Sequence, residues 1–172
     1  EAVKSSTPAP CRQMIKDALQ IIMNDTEENV QKYIEDCRTK FRSLPPDEIA
    51  FPRTASNVQK YHAHSTIYAK GTPIHIRGAL LFNYYTKQKK LTNKYSPIGN
   101  GEKVKFLYLK KPNIIQENVI SFIQDFPTEL GLDKYIDYEL QFDKSFVEPL
   151  KAILDAIGWN VEKTVNLESF FA

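Results

Sequence analysis

The sequence has 172 residues, of which 42% are hydrophobic and 26% are charged, and these ordinary globular values exclude a disordered or fibrous chain. No apolar run approaches the roughly 18 residues of a membrane span, and the first residues lack the pattern of a secretion signal, so we expect neither. The chain starts at Glu1 rather than at Met, and we expect it to be a fragment of a larger protein.

The net charge of +2 conceals a strongly basic segment in the middle of the chain. Residues 60–111 contain 11 lysines and arginines and one acid, Glu102, whereas the other residues carry 12 basic and 20 acidic side chains. Tyrosines and a phenylalanine interleave with these cations. A basic half with interleaved aromatic rings is typical of nucleic-acid binding, and a solvated lysine-rich face remains the alternative.

The first elements are predicted to be helical. The spacing of apolar residues indicates a helical hairpin over residues 8–44, closed by a pair of prolines. We expect Thr7 to cap the first helix with Pro8 in its first turn. We expect Asp25 and Glu28 to form a capping box for the second helix.

The later elements are predicted to include both helices and strands. In chain order, the sequence predicts an extended segment Thr66–Tyr68, a helix His75–Lys87, strands Lys103–Leu109 and Val119–Phe126, and a helix Asp137–Ile157 that Gly158 ends. Pro149 should kink the last helix unless Glu148 marks a junction. The expected fold class is α+β and mostly helical, with a helical hairpin, a central helix, a long C-terminal helix and a small β-sheet tip.

Residues that would form a catalytic site are scarce. No glycine-rich phosphate loop is present. His62 and His64 offer two metal ligands, but no acidic residue lies near them in the sequence, which favours a pair of surface histidines. A nucleophile pair of Cys11 or Cys37 with His75 stays open, although both cysteines fall on apolar helix faces. We therefore predict no catalytic residue and no metal ligand.

Several segments together carry a family resemblance. In chain order they are Lys4–Pro8 with the helical hairpin after it, Pro73–Gly78, Lys144–Leu150 and the terminal Phe170-Phe171. In this order and spacing, the sequence resembles the C-terminal thumb region of the family B replicative DNA polymerases of T-even-like bacteriophages.

The resemblance implies a function for the chain as part of a nucleotidyltransferase. In such polymerases the thumb holds the primer–template duplex behind the active site, for processive replication in the cytoplasm of the infected bacterial host. The catalytic aspartates lie in the palm, in an Asp-Thr-Asp-Ser motif that this sequence lacks. The fragment should therefore be inactive alone and hold no cofactor, whereas the full polymerase, with its palm, fingers and exonuclease, needs a divalent metal, Mg²⁺. No membrane is implied.

The resemblance also implies which residues contact the duplex. They are Lys4, Ser5, Ser6, Lys70, His75, Arg77 and Lys144, and the basic segment adds Lys87 as a further expected DNA contact that would compensate for lost family lysines. The first three precede a helix N-terminus, which favours a phosphate, although the hydroxyls there offer capping as the alternative. Arg77 has an alternative pairing with a surface carboxylate. Glu148 and Asn118 stand where the family pattern has lysines, which weakens the expected grip on DNA.

The implied organisation is one thumb domain, 1–172. Residues 1–60 and 133–165 form a helical base, 61–132 a basic tip, and 166–172 a tail that binds the sliding clamp. In this tail Leu167 lies one helical turn before Phe170 and Phe171, a spacing that suits insertion into an apolar pocket. The alternative is that these side chains fold back onto the core.

Two other functions remain open at this stage. One is a protein–protein interaction module whose basic face binds an acidic partner, and the other is a metal-dependent phosphoesterase built on His62 and His64.

Overall fold

The computed structural model describes residues 3–163 and confirms the expected class, mostly helical α+β with a small antiparallel sheet. The helices are α1 (Ala9–Asn24), α2 (Glu27–Phe41), α3 (Pro46–Ile49), α4 (Ile74–Gln88), α5 (Tyr138–Phe142) and α6 (Glu148–Ala156). The strands are β1 (Phe51–Ala55), β2 (Glu102–Tyr108) and β3 (Val119–Phe122). Short 3₁₀ turns cover Val58–Tyr61, Thr128–Leu130 and Asp133–Tyr135, and a π turn covers Asp143–Val147.

The predicted helical hairpin is present, but its caps differ from the prediction. Pro8 precedes the first helical residue, and none of the described side chains caps α1, so the expected Thr7 cap is wrong. Thr26 caps α2 instead of Asp25, because its Oγ1 accepts the backbone N–H of Asn29 at 3.3 Å. Asp25 instead accepts the side-chain amide of Asn29 at 2.6 Å.

The sheet has the order β1-β2-β3, with both pairs antiparallel. Strand β1 is absent from the sequence predictions, and the expected extended segment at Thr66–Tyr68 forms bends instead. The pairing puts Phe51 opposite Phe106, and their rings lie 5.2 Å apart. Pro52 is tolerated because β1 is an edge strand, where one side of the backbone needs no ladder partner.

Helix α4 lies against β3 at a distance that only a glycine allows. A Cβ atom on Gly78 would clash with Ser121 Oγ and lie 2.8 Å from the backbone nitrogen of Ser121. The Ser121 hydroxyl donates to the carbonyl of His75 at 2.9 Å, which ties the first turn of α4 to the strand. This contact explains why a glycine is required at position 78, at the end of the Pro73–Gly78 motif.

The C-terminal helix is divided at the junction predicted for Glu148. The π turn over Asp143–Val147 comes directly before α6, which starts at Glu148 with Pro149 in its first turn. A proline ring clashes with the carbonyl four residues earlier in a regular helix, so a wider turn at this point relieves the conflict. Ile157, the last residue of the predicted helix, is 48% exposed beside Gly158.

One hydrophobic core joins the hairpin, the sheet and the last helices. Its largest fully buried side chains include Phe41 of α2, Phe82 of α4, Phe122 of β3, and Phe142 and Phe146 near the chain's end. The predicted division into a base and a tip stays a prediction. Within residues 3–163 no helix has the length and apolarity that crossing a bilayer requires.

We expect Gly78→Ala to destabilise the fold by about 1–3 kcal/mol, because the added methyl group overpacks the contact between α4 and β3. Chemical denaturation of the two proteins measures this difference. Gly99→Ala is the matched control, since no atom lies within 4 Å of the position that its Cβ would take. Equal stability of the two variants would contradict the packing argument.

Candidate nucleic-acid interface

An open cleft of about 510 Å³ brings together residues from both ends of the described chain. Its lining residues include Lys4 and Ser6 before α1, Arg53 on β1, Lys144 in the π turn and Glu148 at the start of α6. We call these five residues the basic cleft. Three cations face one carboxylate in it, so the cleft suits an anionic ligand.

Arg53 fixes one wall of the basic cleft. Its Nη1 donates to the backbone carbonyl of Ser6 at 2.9 Å and to that of Pro52 at 2.7 Å. Its guanidinium lies 5.7 Å from the ring centroid of Phe51 and 5.3 Å from that of Phe106. These contacts hold the segment before α1 against the sheet and keep the cation at the cleft.

Lys144 supplies a cation from the opposite wall. It lies in the π turn, where the backbone is already displaced ahead of Pro149. Its Nζ lies 5.6 Å from the ring centroid of Tyr108, at the end of β2. The side chain is exposed and forms no ion pair among the described residues, so its charge is available to a ligand.

The N-terminus of α1 offers fewer donors than the sequence prediction assumed. Ser5 and Ser6 lie in a turn before the helix, and the N–H of Thr7 donates to the carbonyl of Lys4 at 3.0 Å. Pro8 and Pro10 carry no N–H group, so the first turn presents few free amides to a phosphate. Lys4 and Ser6 line the cleft, whereas Ser5 is exposed beside it.

His75 lies next to the basic cleft. Burial of its ring lowers its pKa below the usual value, and the nearby charge of Arg53 lowers it further, while the Thr54 backbone acts in the opposite direction. The ring is therefore neutral more often at pH 7 than an exposed histidine. A phosphate bound in the cleft would favour its protonated form.

Lys70 and Arg77 are not lining residues of the basic cleft. Lys70 is exposed in the turn before α4. Arg77 lies with its guanidinium 5.7 Å from the ring centroid of Tyr68, whose hydroxyl donates to Glu117 Oε1 at 2.7 Å. Within residues 3–163 Arg77 forms no ion pair with a carboxylate, and its Nε is buried without a hydrogen-bond partner.

Lys87 lies in a different cavity, together with His62 and His64, whose ring centroids are 6.0 Å apart. In the described part of the chain no three His, Cys, Asp or Glu side chains converge as a metal site would require. Two lysines close to Lys87 in the sequence already have partners: Lys94 pairs with Glu129, and Lys89 donates to the Glu129 carbonyl at 3.2 Å.

The cysteines do not form a nucleophile pair with His75. Cys11 is fully buried and donates to Ser145 Oγ at 3.3 Å. Burial raises its pKa to about 11, and burial also raises the pKa of Cys37. Protonated, buried thiols are poor nucleophiles. The predicted clamp residues Leu167, Phe170 and Phe171 lie outside the described residues.

Arg53 is the cleft residue that the sequence reasoning did not identify. The available signal was the run Phe51-Pro52-Arg53, in which an apolar residue and a cation flank a proline. The run is too short and too irregular for a strand prediction, because its pairing partner, β2, lies about 50 residues further along the chain. Only the register of β1 on β2 brings Arg53 over Phe106.

The comparisons with known proteins agree with the resemblance. No family model matches the chain. The sequence is 29% identical over 175 residues to a DNA-directed DNA polymerase of Enterobacteria phage T4, and 30% identical over 176 residues to that of Escherichia phage RB69. Each match covers 99% of this chain and 19% of the polymerase, so the chain spans about a fifth of these relatives' length. The predicted similarity to phage DNA polymerases is confirmed.

We expect Arg53→Met to raise the pKa of His75 part of the way toward its ordinary value, because the substitution removes a nearby positive charge and leaves the ring buried. NMR titration of the His75 ring protons measures the change. Arg42→Met is the matched control, since Arg42 bonds Glu139 on another face. An identical titration in both variants would show that the Arg53 charge does not reach this ring.

Proposed function

We propose that the chain is the thumb part of a phage DNA-directed DNA polymerase and holds the primer–template duplex through the basic cleft. In the infected bacterial cytoplasm it would act together with the palm, fingers and exonuclease of the same enzyme. The similarity to phage polymerases over nearly the whole chain supports this assignment.

The observation that carries the proposal is the convergence of Lys4, Arg53 and Lys144 on one open cleft. These cations are far apart in the sequence, and the fold places them within reach of one ligand. Cations on a rigid scaffold that face an open cleft suit the phosphate backbone of DNA, which carries a regular array of negative charge. Binding through phosphates implies little discrimination between base sequences.

The lining of the basic cleft offers few of the carboxylates that nucleotide addition requires. The basic cleft holds one carboxylate, Glu148, and none of the described residues forms a metal-binding group. Nucleotide addition needs metal ions held by carboxylates. We therefore propose that catalysis, with its Mg²⁺, belongs to the rest of the polymerase and that this chain only positions the duplex.

Glu148 opposes the proposed grip. It lies in the cleft with the cations, and its charge repels a phosphate. The cleft therefore binds less tightly than one lined by cations alone, and Arg53 supplies part of the compensation from the facing wall.

The clamp-binding role of the tail is a proposal from the sequence. In the sequence, Leu167 precedes Phe170 and Phe171 by three and four residues, a spacing that fits insertion of apolar side chains into a hydrophobic pocket on a partner. Binding to the sliding clamp would keep the polymerase on DNA while the cleft slides along the duplex.

We expect Lys144→Ala to weaken duplex binding equally for all sequences and to lower the salt slope of log K by about 1, because one phosphate contact is lost. Glu148→Gln should strengthen binding, because a repulsive charge is removed. Fluorescence anisotropy of the 172-residue chain with a labelled primer–template duplex, over a series of salt concentrations, measures both effects.

Lys151→Ala is the matched control, because Lys151 pairs with Asp155 on the exposed face of α6. Unchanged duplex affinity in Lys144→Ala would remove the cleft from the binding site. Absence of duplex binding even at low salt would instead favour a basic face that meets an acidic protein.

We expect the double variant Phe170→Ala/Phe171→Ala to lose binding to the phage's sliding clamp and to keep duplex binding, because the apolar anchor is removed and the cleft is intact. Calorimetric titration with the clamp measures the first effect and anisotropy the second. Ser169→Ala is the control within the tail. Joint loss of clamp and duplex binding would mean that the aromatic rings belong to the core.

A further inference from the structure

A second cavity of about 510 Å³ lies on the basic segment, away from the basic cleft. Helix α4 forms one wall with Leu80, Asn83, Tyr84 and Lys87, and the loop 62–67 forms the other. The loop is closed at its base by a hydrogen bond from the N–H of Ala69 to the carbonyl of Tyr61 at 2.8 Å. We call this cavity the histidine groove.

The histidine groove presents flat rings to solvent. His62 and His64 are both exposed, with their ring planes at 87° to each other. Tyr84 is 42% exposed, and its ring is held edge-on to the ring of Tyr85 at 5.0 Å between centroids. An exposed ring held by a neighbour is ready to stack on a planar ligand at little entropic cost.

The charge around the histidine groove is positive. Lys87 lines it, and Lys60 lies exposed just before the loop, 5.5 Å from the ring centroid of Tyr61. Among residues 3–163, none that lines the groove is an Asp or Glu. A groove with cations and stacking rings but no carboxylate matches an unpaired strand, whose bases offer flat faces and whose backbone is anionic.

Hydrogen bonds of Asn83 fix the α4 wall of the groove to the loop that follows the helix. The side-chain amide of Asn83 donates to the carbonyl of Ile98 at 3.0 Å and accepts the N–H of the same residue at 2.7 Å. Asn83 is therefore occupied in fixing the loop after α4. Recognition is left to the rings and lysines, which favours binding that is tolerant of base sequence.

We propose that the histidine groove binds single-stranded DNA, with Tyr84 and the two histidines stacking on unpaired bases and Lys87 holding the backbone. Bases inside a duplex are already stacked on one another, so exposed rings gain contacts only from an unpaired strand. The site is distinct from the basic cleft and adds a second nucleic-acid contact to the proposed function.

The position of the groove on α4 gives the two sites a fixed separation. His75 lies at the first turn of α4 beside the basic cleft, and Lys87 lies near the helix's end. About twelve residues of helix span about 18 Å, or roughly five base pairs of rise at about 3.4 Å each. An unpaired end of a bound duplex therefore has the length to reach the groove.

The test compares single-stranded and duplex binding by the 172-residue chain. The single-stranded probe is a short DNA oligonucleotide with one 2-aminopurine, whose fluorescence reports stacking on a protein ring. We expect Tyr84→Leu to weaken single-strand binding roughly tenfold and to remove the stacking signal, with duplex affinity unchanged. The double variant His62→Ser/His64→Ser changes only exposed side chains and should act in the same direction.

Lys144→Ala provides the reciprocal control, because it alters the basic cleft and leaves the groove intact. It should weaken duplex binding and spare the single strand. Single-strand binding that persists in both groove variants, or that falls in parallel with duplex binding, would overturn the proposal. Failure of Lys144→Ala to affect the duplex would count against the proposed function and leave the groove assignment standing.

Discussion

A buried glutamine in α5 determines how the C-terminal helical segment meets the sheet, and the basic cleft depends on that placement. Gln141 is fully buried, its Oε1 accepts the N–H of Tyr108 at 2.8 Å, and its Nε2 donates to the carbonyl of Ile49 at 2.9 Å. An amide that is buried and satisfied on both sides allows one register of the helix, because any shift would leave polar groups unpaired. Lys144, one turn later, therefore reaches Tyr108 and the cleft.

The polar contacts continue from Gln141 toward the helical hairpin. The Ser145 hydroxyl donates to the Gln141 carbonyl at 2.5 Å and accepts the thiol of Cys11 at 3.3 Å. The hairpin, the sheet and the C-terminal helix are thus joined by hydrogen bonds through an otherwise apolar core. Directional contacts of this kind specify one arrangement of elements that hydrophobic packing alone would leave less defined.

The elements that were predicted correctly are those with a local signal in their own sequence. The hairpin, α4 and strand β2 have clear apolar periodicity, and the junction at Glu148 follows from Pro149, whose ring cannot fit a regular helix. Strand β1 and Arg53 had no such signal. The strand is five residues long with a proline at its second position, and its identity depends on a partner far along the chain. The cap was misassigned because Asp25 and Thr26 are both good capping residues and only the backbone distinguishes them.

The residues of the candidate cleft were partly predictable from the sequence. Lys4, Ser6 and Lys144 belong to segments with a family resemblance, and the structure brings these three together. Lys70, Arg77 and Lys87 come from the basic segment 60–111 and do not line the cleft. Lys70 lies in the turn before α4. Arg77 and Lys87 lie on α4 itself, and a helix of about 3.6 residues per turn distributes its positions around its axis. Sequence proximity therefore indicates the charge of this region and not which charges act together.

The make-up of the basic cleft couples ligand binding to the folding of the whole chain. Its cations come from the segment before α1, from the edge strand β1 and from the π turn, so an unfolded chain has no cleft. A ligand selective for the folded state stabilises it by RT ln(1 + [L]/Kd), about 2.7 kcal/mol at a hundredfold excess over Kd. On the proposed function, DNA bound in the cleft would bridge the segment before α1, the edge strand β1 and the π turn, and its release would remove this stabilisation.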